Sequence, residues 1–320
     1  MLGRLLVLLA SLALVSAGGS APPTAFTAGH IVKPRKVHRR VHRPAPPRSP
    51  ATLVPDDPLW GAESGLAHIG LPRLWAASAT VPGAVVAVVD TGADPGRSDL
   101  AGALVGASGD AVGHGTAVAE IAAGRGNDGV GAAGVCWRCR VLSIDVAPDG
   151  TASAASLAAG IDSAVAQGAN VINLSLVLNE PDAGVAAAIA NAEARGVLVV
   201  AAAGNDGGTA PTYPAAYPGV VSVVGVDDAD HPYPWATRGS WATLAAPGCA
   251  TVADASGGAA AFCGSSAAAP VVSGLAGLVW NKFGSAEAVR AALVASAAPL
   301  DGGVASAGRV DAARLASLLP

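Results

Sequence analysis

A short apolar segment, Val85-Val86-Ala87-Val88-Val89-Asp90-Thr91-Gly92, indicates the fold class of this 320-residue chain. Five apolar residues in succession are typical of a strand that is buried on both faces, as the strands of parallel sheets are. The run ends at Asp90, and open α/β sheets carry their functional groups at the carboxyl ends of the strands. The segment therefore predicts a buried parallel strand that delivers a carboxylate to a site.

Similar segments alternate with helical ones along the rest of the chain. Strands are predicted over 141–146, 171–176, 197–203 and 220–226, and helices over 116–123, 154–167, 183–195, 266–283 and 287–297. Strands that alternate with helices favour an α/β fold of three layers, with a mostly parallel central sheet and helices on both faces. We expect one such domain over residues 56–320.

The first 17 residues have the pattern of a secretory signal peptide. They combine Arg4, an apolar run and the small-residue sequence Val15-Ser16-Ala17, which suits cleavage. The apolar run is shorter than the roughly 20 residues that a membrane span needs. We therefore expect a secreted product without a membrane span after the signal is removed.

Residues 18–55 are basic and rich in proline. Seven Lys and Arg lie between His30 and Pro50 without one acidic residue, whereas residues 51–320 hold 11 basic residues against 23 acidic ones. The prolines oppose a packed fold, so we expect a segment that is disordered or removed. Such an arm could also bind its own acidic domain, the cell envelope or nucleic acid. We expect no specific nucleic-acid partner, and a monomer.

Four cysteines in an exported chain suggest two disulfides, for which three pairings are possible. The close pairs Cys136/Cys139 and Cys249/Cys263 are the favoured ones. A Cys-x-x-Cys sequence can also be a redox motif or half of a zinc site. Since the predicted domain has no second Cys-x-x-Cys and no closely spaced His pair to complete a zinc set, we expect disulfides and no metal ligands.

Three motifs in one order carry candidate chemistry: Asp90-Thr-Gly, His114-Gly-Thr and Gly264-Ser-Ser-Ala-Ala-Ala-Pro270. A serine hydroxyl is a poor nucleophile unless a base lies within hydrogen-bond reach, and the base needs a partner that fixes its tautomer. The serines lie at the predicted start of a helix, where unpaired N–H groups favour negative charge. These residue types therefore indicate acyl transfer by a Ser-His-Asp triad.

The three motifs resemble those of the subtilisin-like serine peptidases (the subtilase or peptidase S8 family), of the secreted bacterial type, whose triad has the chain order Asp, His, Ser. The resemblance covers about residues 56–312 and implies a subtilisin-like fold and a secreted endopeptidase that forms an acyl-enzyme. Ser265 and Ser266 compete for the role of nucleophile, and the family motif Gly-Thr-Ser-x-Ala-x-Pro assigns it to Ser266. By the same likeness, His114 transfers the proton and Asp90 orients the imidazole.

The resemblance implies further site residues. Ala203-Gly204-Asn205 is similar to the family's Ala-Gly-Asn, whose Asn side chain donates to the oxyanion. Leu174-Ser175-Leu176 and Ala202-Ala203-Gly204 would flank the pocket for the residue before the cut in a peptide or protein substrate. The chemistry needs no cofactor. The segment Asn127–Ala132 resembles a calcium-binding loop of some members, but Asn-Asp-Gly is equally a turn signal.

Three departures from the family pattern keep other readings open. Val177 and Glu120 stand where glycine is common in relatives, and residues 18–55 are too few for the usual folded prodomain. One alternative is a catalytically silent or partner-dependent subtilisin fold that binds peptide or envelope components. Another is a narrow processing protease that cuts one partner.

Overall fold

The computed structural model describes residues 51–320 apart from residues 79–80, 107–108 and 255–257. The predicted signal peptide, residues 1–17, lies outside the described residues, as does the predicted basic segment up to residue 50.

The described residues contain a seven-stranded central sheet. Its strands are β1 (Val85–Asp90), β2 (Leu104–Val105), β3 (Arg140–Asp145), β4 (Val171–Leu174), β5 (Leu198–Ala202), β6 (Val221–Val226) and β7 (Leu244–Pro247). Their order is β2-β3-β1-β4-β5-β6-β7, and every neighbouring pair is parallel. The mostly parallel sheet expected from the sequence is thus confirmed, and β1 lies inside it between β3 and β4.

Helices cover both faces of this sheet. They are α1 (Ser64–His68), α2 (Leu71–Ser78), α3 (His114–Ala123), α4 (Ala154–Ala166), α5 (Ala183–Ala194), α6 (Ser265–Phe283), α7 (Ala286–Ser296) and α8 (Ala312–Ser317). No helix in the described part of the chain is both long and apolar enough to cross a membrane.

Alternate side chains of β1 enter two different cores, as the two-residue period of a strand requires. Val86 and Val88 belong to the core that includes α3 and α6, whereas Ala87 and Val89 belong to the core that includes α4 and α5. This arrangement confirms the expected three layers. It also brings Asp90 out at the carboxyl edge of the sheet, between the two layers of helices.

The boundaries of the predicted elements differ from the structure by one or two residues, and the two largest differences are at α3 and β4. Helix α3 begins at His114, two residues earlier than expected, because the side chain of Asp110 accepts the N–H of Thr116 and satisfies the first turn from outside. Strand β4 ends at Leu174, two residues earlier than expected, and the next residue, Ser175, donates its hydroxyl to the carbonyl oxygen of Ser266 in α6.

A separate antiparallel hairpin leads into α6. It consists of β8 (Cys249–Ala253) and β9 (Ala259–Cys263), in which Cys249 lies opposite Cys263. A disulfide joins these two residues, whose Cα atoms are 4.1 Å apart. The second disulfide joins Cys136 to Cys139, with Cα atoms 5.4 Å apart. These are the two pairs that the sequence favoured.

Candidate active site

Asp90 and His114 meet through a short hydrogen bond. Asp90 is the last residue of β1, and its Oδ1 lies 2.7 Å from Nδ1 of His114, the first residue of α3. Both side chains are buried, with 0% and 5% of each residue exposed. The residue before α3, Gly113, has a φ angle of 86°, which an L side chain rarely adopts, so the sharp entry to the helix favours glycine.

The electrostatics of this pair keep the imidazole basic. Burial lowers the pKa of His114, but the charge of Asp90, its hydrogen bond and the charge of Asp110 outweigh that effect, so the pKa lies above its ordinary value of 6.5. The ring of Phe262 in β9 packs against the imidazole edge to face, with ring centroids 5.2 Å apart. His114 is therefore held by a carboxylate on one side and by an aromatic ring on another.

Ser266 is the second residue of α6, and α6 packs against α3. Its Oγ donates to the carbonyl oxygen of Ser175 at 3.3 Å, and its own carbonyl accepts from the hydroxyl of Ser175 at 3.1 Å. Within the described residues no hydrogen bond joins Ser266 to His114. The structure thus brings Asp90 and His114 together, and the serine hydroxyl is turned toward the end of β4. In free enzymes such contacts are often long and tighten only when substrate binds.

Ser265, the rival nucleophile, is engaged elsewhere. It is buried, its Oγ accepts the N–H of Gly204 at 3.0 Å, and its N–H donates to Oδ1 of Asn205 at 2.8 Å. Ser265 therefore connects the start of α6 to the segment after β5. Of the two serines, Ser266 is the one that lines a pocket.

Asn205 follows β5 and faces the first turn of α6. Its Oδ1 is taken by the N–H of Ser265, which leaves Nδ2 as the donor on the other branch of the amide. A Cβ at Gly264 would lie 3.0 Å from Nδ2, and Gly264 has a φ angle of 136°. Glycine at this position therefore lets the amide come close to the helix start.

A small cavity of about 50 Å³ lies beside Ser266. Its lining residues are Ser175, Val177, Asn179, Gly204, Asn205, Asp206, Thr212, Thr237 and Ser266. Of the six predicted pocket residues, Ser175 and Gly204 line it. The side chains of the other four, Leu174, Leu176, Ala202 and Ala203, are buried in the cores beneath.

Sequence reasoning missed four of the lining residues: Asn179, Asp206, Thr212 and Thr237. Thr237 donates to Asp206 at 2.6 Å, and this bond contributes most to lowering the pKa of the Asp206 carboxyl. Thr212 donates to the carbonyl oxygen of Ala203 at 2.6 Å. A signal existed for Asp206, which directly follows Asn205, whereas Thr237 comes from a distant loop.

The segment Asn127–Ala132 lies against two buried carboxylates, Asp57 and Asp99. Burial raises the pKa of both carboxyls, and the charge of Asp128 adds to the effect. Yet Asp57 accepts the N–H of Asn127 at 2.6 Å, and Asp99 accepts that of Ala132 at 2.9 Å. Calcium is bound by converging oxygen atoms, and the described residues hold no group of three or more acidic, His or Cys side chains placed for a metal ion. Both carboxylates accept backbone N–H groups of this segment, and calcium binding by Asn127–Ala132 stays a prediction.

Glu120 departs from the family pattern in the middle of α3. Its Oε1 lies 3.2 Å from Nε of Arg97, and its Oε2 accepts the N–H of Ala253 in β8 at 3.2 Å. Burial raises the pKa of Glu120 to about 8 in spite of the Arg97 charge, with Asp99 and Asp94 adding to the rise. The helix that carries His114 is thus tied to the hairpin that carries Phe262.

Comparison with known proteins gives one consistent result. The model of the subtilase family (Peptidase_S8) matches residues 82–311. Thermitase from Thermoactinomyces vulgaris is 36% identical over 261 residues, which cover 78% of this chain and 93% of that protein.

Solved structures agree with the sequence matches. A protease from Pseudoalteromonas arctica superposes with a TM-score of 0.75 at 25% identity, covering 82% of this chain and 99% of that one. The prenylagaramide maturation protease PagA superposes with a TM-score of 0.70 at 31% identity, covering 78% of this chain and 97% of that one. The chain is therefore similar to these proteases in both sequence and fold.

Proposed function

Because this chain belongs to the subtilase family, we propose that Asp90, His114 and Ser266 form the catalytic triad of a secreted serine endopeptidase. Serine endopeptidase activity follows from the family, and a catalytically silent binding protein is not favoured. The observation that carries the residue assignment is the 2.7 Å hydrogen bond between the buried Asp90 and His114.

His114 acts as the general base. With Nδ1 bonded to Asp90, Nε2 is the nitrogen that can accept a proton from the attacking hydroxyl. The raised pKa strengthens this base, and the buried Asp90 stabilises the imidazolium that forms. Since His114 must be neutral to accept the proton, activity falls as the pH drops below that raised pKa.

Ser266 acts as the nucleophile after its hydroxyl turns from Ser175 to His114. A rotation about its side-chain torsion exchanges one hydrogen bond for another, and staggered side-chain wells make such a change inexpensive. Oγ then attacks the peptide carbonyl carbon, and its proton passes to His114. The same proton goes to the leaving amine as the C–N bond breaks. Water then attacks the acyl-enzyme and gives a proton to His114, which returns it to Oγ of Ser266 as the Oγ–acyl bond breaks and the acid is released.

Asn205 and the N–H of Ser266 stabilise the oxyanion. The first N–H groups of a helix have no partner inside the helix, and Ser266 lies in the first turn of α6. The Nδ2 of Asn205 faces the same turn because its oxygen is fixed by Ser265. Two fixed donors at the place where charge develops are the arrangement that acyl transfer requires.

The cavity beside Ser266 receives the side chain before the cut. Its volume is about 50 Å³ and Val177 and Thr212 are among its lining residues, so it suits a small residue such as Ala, Ser or Gly. We infer a preference for small residues at this position of a peptide substrate.

Export is supported by two features of different kinds. The first 17 residues have the signal-peptide pattern, and the domain carries two disulfides, which persist in oxidising compartments. Purification from culture medium and N-terminal sequencing of the mature chain test this, and retention of residues 1–17 would contradict it.

Labelling with a fluorophosphonate probe tests the nucleophile. We expect the purified wild type and Ser265→Ala to be labelled, and Ser266→Ala not to be, because the probe reacts with an activated serine hydroxyl. Mass spectrometry of the labelled peptide identifies the modified residue. A label on Ser265, or an unlabelled but folded wild type, would overturn the assignment.

A further inference from the structure

Asp110 makes five hydrogen bonds through one carboxylate. It accepts the hydroxyl of Thr91 at 3.0 Å, the N–H groups of Val112 and Gly113 at 3.0 and 2.7 Å, and both the N–H and the hydroxyl of Thr116 at 2.9 and 2.7 Å. A carboxylate has about four lone-pair positions, so this one is fully used. Asp110 is half-buried, and nothing in the triad chemistry requires it.

These bonds join the two segments that carry the catalytic acid and base. Thr91 directly follows Asp90 at the end of β1, whereas Gly113 and Thr116 flank His114 at the start of α3. Gly113 has no side chain with which to cap the helix, so Asp110 supplies the missing acceptor from outside.

The hydroxyl groups of Thr91 and Thr116 extend this hydrogen-bond network, and the proton of each points in a fixed direction. Each hydroxyl gives its proton to Asp110, and each oxygen then accepts a backbone N–H: Thr91 from Gly115 at 2.8 Å, and Thr116 from Asp94 at 3.0 Å. A hydroxyl has a single proton, so this orientation depends on an acceptor oxygen at each branch of the Asp110 side chain: Oδ1 for Thr91 and Oδ2 for Thr116.

We propose that Asp110 is a positioning residue for catalysis, which fixes the distance and orientation of the Asp90–His114 pair by joining the end of β1 to the start of α3. The proposal rests on the roles given to Asp90 and His114 above. The hydrogen bonds of Asp110 lie beside the one between Asp90 and His114, so the position of the imidazole does not depend on that single bond.

The charge of Asp110 acts on His114 as well. Asp90 and Asp110 are the charged groups that raise the pKa of the imidazole against its burial. Removal of the Asp110 charge therefore lowers the pKa of His114. The acidic limb of the pH profile moves to lower pH, which a smaller fraction of folded enzyme would not cause.

Steady-state kinetics on full-length variants test the proposal, with enzyme concentration set by active-site titration. Asp110→Asn has the same shape but no charge and one acceptor fewer. We expect its kcat to fall about 10- to 100-fold with a smaller change in KM, and its acidic midpoint to shift to lower pH. Asp110→Glu retains the charge and loses the geometry, so we expect a lower kcat with the acidic midpoint near that of the wild type.

Asp182→Asn is the matched control. Asp182 caps α5 by accepting the N–H groups of Gly184 and Val185, and it lies outside the site. We expect its kcat and pH profile to equal those of the wild type. If Asp110→Asn keeps the wild-type kcat, or loses kcat with an unmoved acidic midpoint, the proposal is wrong.

Thr91→Val and Thr91→Ser cover the case in which Asp110→Asn does not fold. We expect Val, which lacks the hydroxyl, to lower kcat at least about 10-fold, and Ser to keep most of it. An active Thr91→Val would overturn the proposal. Ser266→Ala is measured in parallel, since activity remaining there would overturn the triad assignment instead.

Discussion

Helices α3 and α6 both begin after a glycine with a positive φ angle and no side chain to cap the helix, at Gly113 and Gly264. At α3 the first N–H groups are bonded to the carboxylate of Asp110. At α6 the neutral amide of Asn205 accepts the N–H of Ser265 and turns its own donor toward the site. One helix start thus holds a permanent anion, and the other offers donors to an anion that forms during the reaction.

This difference follows from what each side chain has to do. His114 gains a positive charge in the transition state, so a fixed carboxylate near its helix start favours the reaction. The carbonyl oxygen of the substrate gains a negative charge at α6, where a fixed carboxylate would repel it. A helix start without a capping side chain of its own therefore positions the base at α3 and binds the transition state at α6.

Among the tests of this contrast, the largest fall in kcat is expected at Asn205. Loss of the corresponding donor in subtilisin itself lowers kcat by about 10²–10³, and we expect a similar loss in Asn205→Ala. Asn205→Asp separates the two tasks of the side chain, because Asp keeps an acceptor for the N–H of Ser265 and replaces the donor with a charged oxygen. We expect Asp to lower kcat at least as much as Ala, in steady-state assays on a small peptide.

Asn191→Ala is a control on the exposed side of α5, where Asn191 donates to Asp162. It should keep the wild-type kcat. Near-normal turnover in Asn205→Asp would mean that Asn205 only braces the start of α6, and the contrast between the two helix starts would fail.

The sequence predicts the starts of α3 and α6 to within two residues, because each start has a signal in the adjacent sequence. Asp90 ends an apolar run, His114 stands between glycines, and Ser266 follows Gly264 and Ser265. A strand end and a helix start both have strong local signals, so five strands of the central sheet (β1, β3, β4, β5 and β6) and the positions of α3 and α6 were predictable.

The sequence does not predict which groups form hydrogen bonds with the first turns of α3 and α6. The acceptor for α3 comes from Asp110, outside the helix, and Thr237 reaches the pocket from a loop far along the chain. Four strands were missed: β2 has only two residues, and the alanine-rich sequences of β7, β8 and β9 have no strong strand pattern. The hydroxyl direction of Ser266 is a side-chain torsion, and no sequence pattern sets it.

A second test concerns the pocket that presents the substrate to α6. Val177 lines the cavity, and removing its two methyl groups enlarges the space for the side chain before the cut. We expect Val177→Ala to raise kcat/KM for a Leu or Phe substrate about 10-fold relative to the Ala substrate, since a methylene in such a pocket is worth about 10- to 200-fold. A series of p-nitroanilide peptides that differ in that residue measures the ratio.

Val294→Ala makes the same substitution at an exposed position of α7 and should leave the ratio unchanged. If Val177→Ala also leaves it unchanged, the cavity does not receive the side chain before the cut.

The smallest effect is expected for a substitution of Glu120, which tests whether the charged groups around α3 extend beyond Asp110. Glu120 is buried on α3 beside Arg97, and its Oε1 and Nη1 of Arg97 have no hydrogen-bond partner within the described residues. Burial raises the pKa of Glu120 from 4.5 to about 8, so the folded protein holds a proton that the unfolded chain releases. The contribution of Glu120 to stability therefore falls as the pH rises from 4.5 to about 8, since over that range the unfolded state binds fewer protons.

Glu120→Gln resembles the protonated side chain at every pH. We expect its melting temperature to equal that of the wild type near pH 4, below the ordinary pKa of 4.5, and to exceed it by about 2–4 °C near pH 9, where only the wild type has to bury a charge. Scanning calorimetry at the two pH values measures the difference, and Glu287→Gln, exposed on α7, should change the melting temperature equally at both. If Glu120→Gln is instead the less stable protein at pH 9, Glu120 and Arg97 form a stabilising ion pair. The charged network of the α3 side would then reach from Asp110 through the helix to the hairpin, whereas the start of α6 would remain neutral.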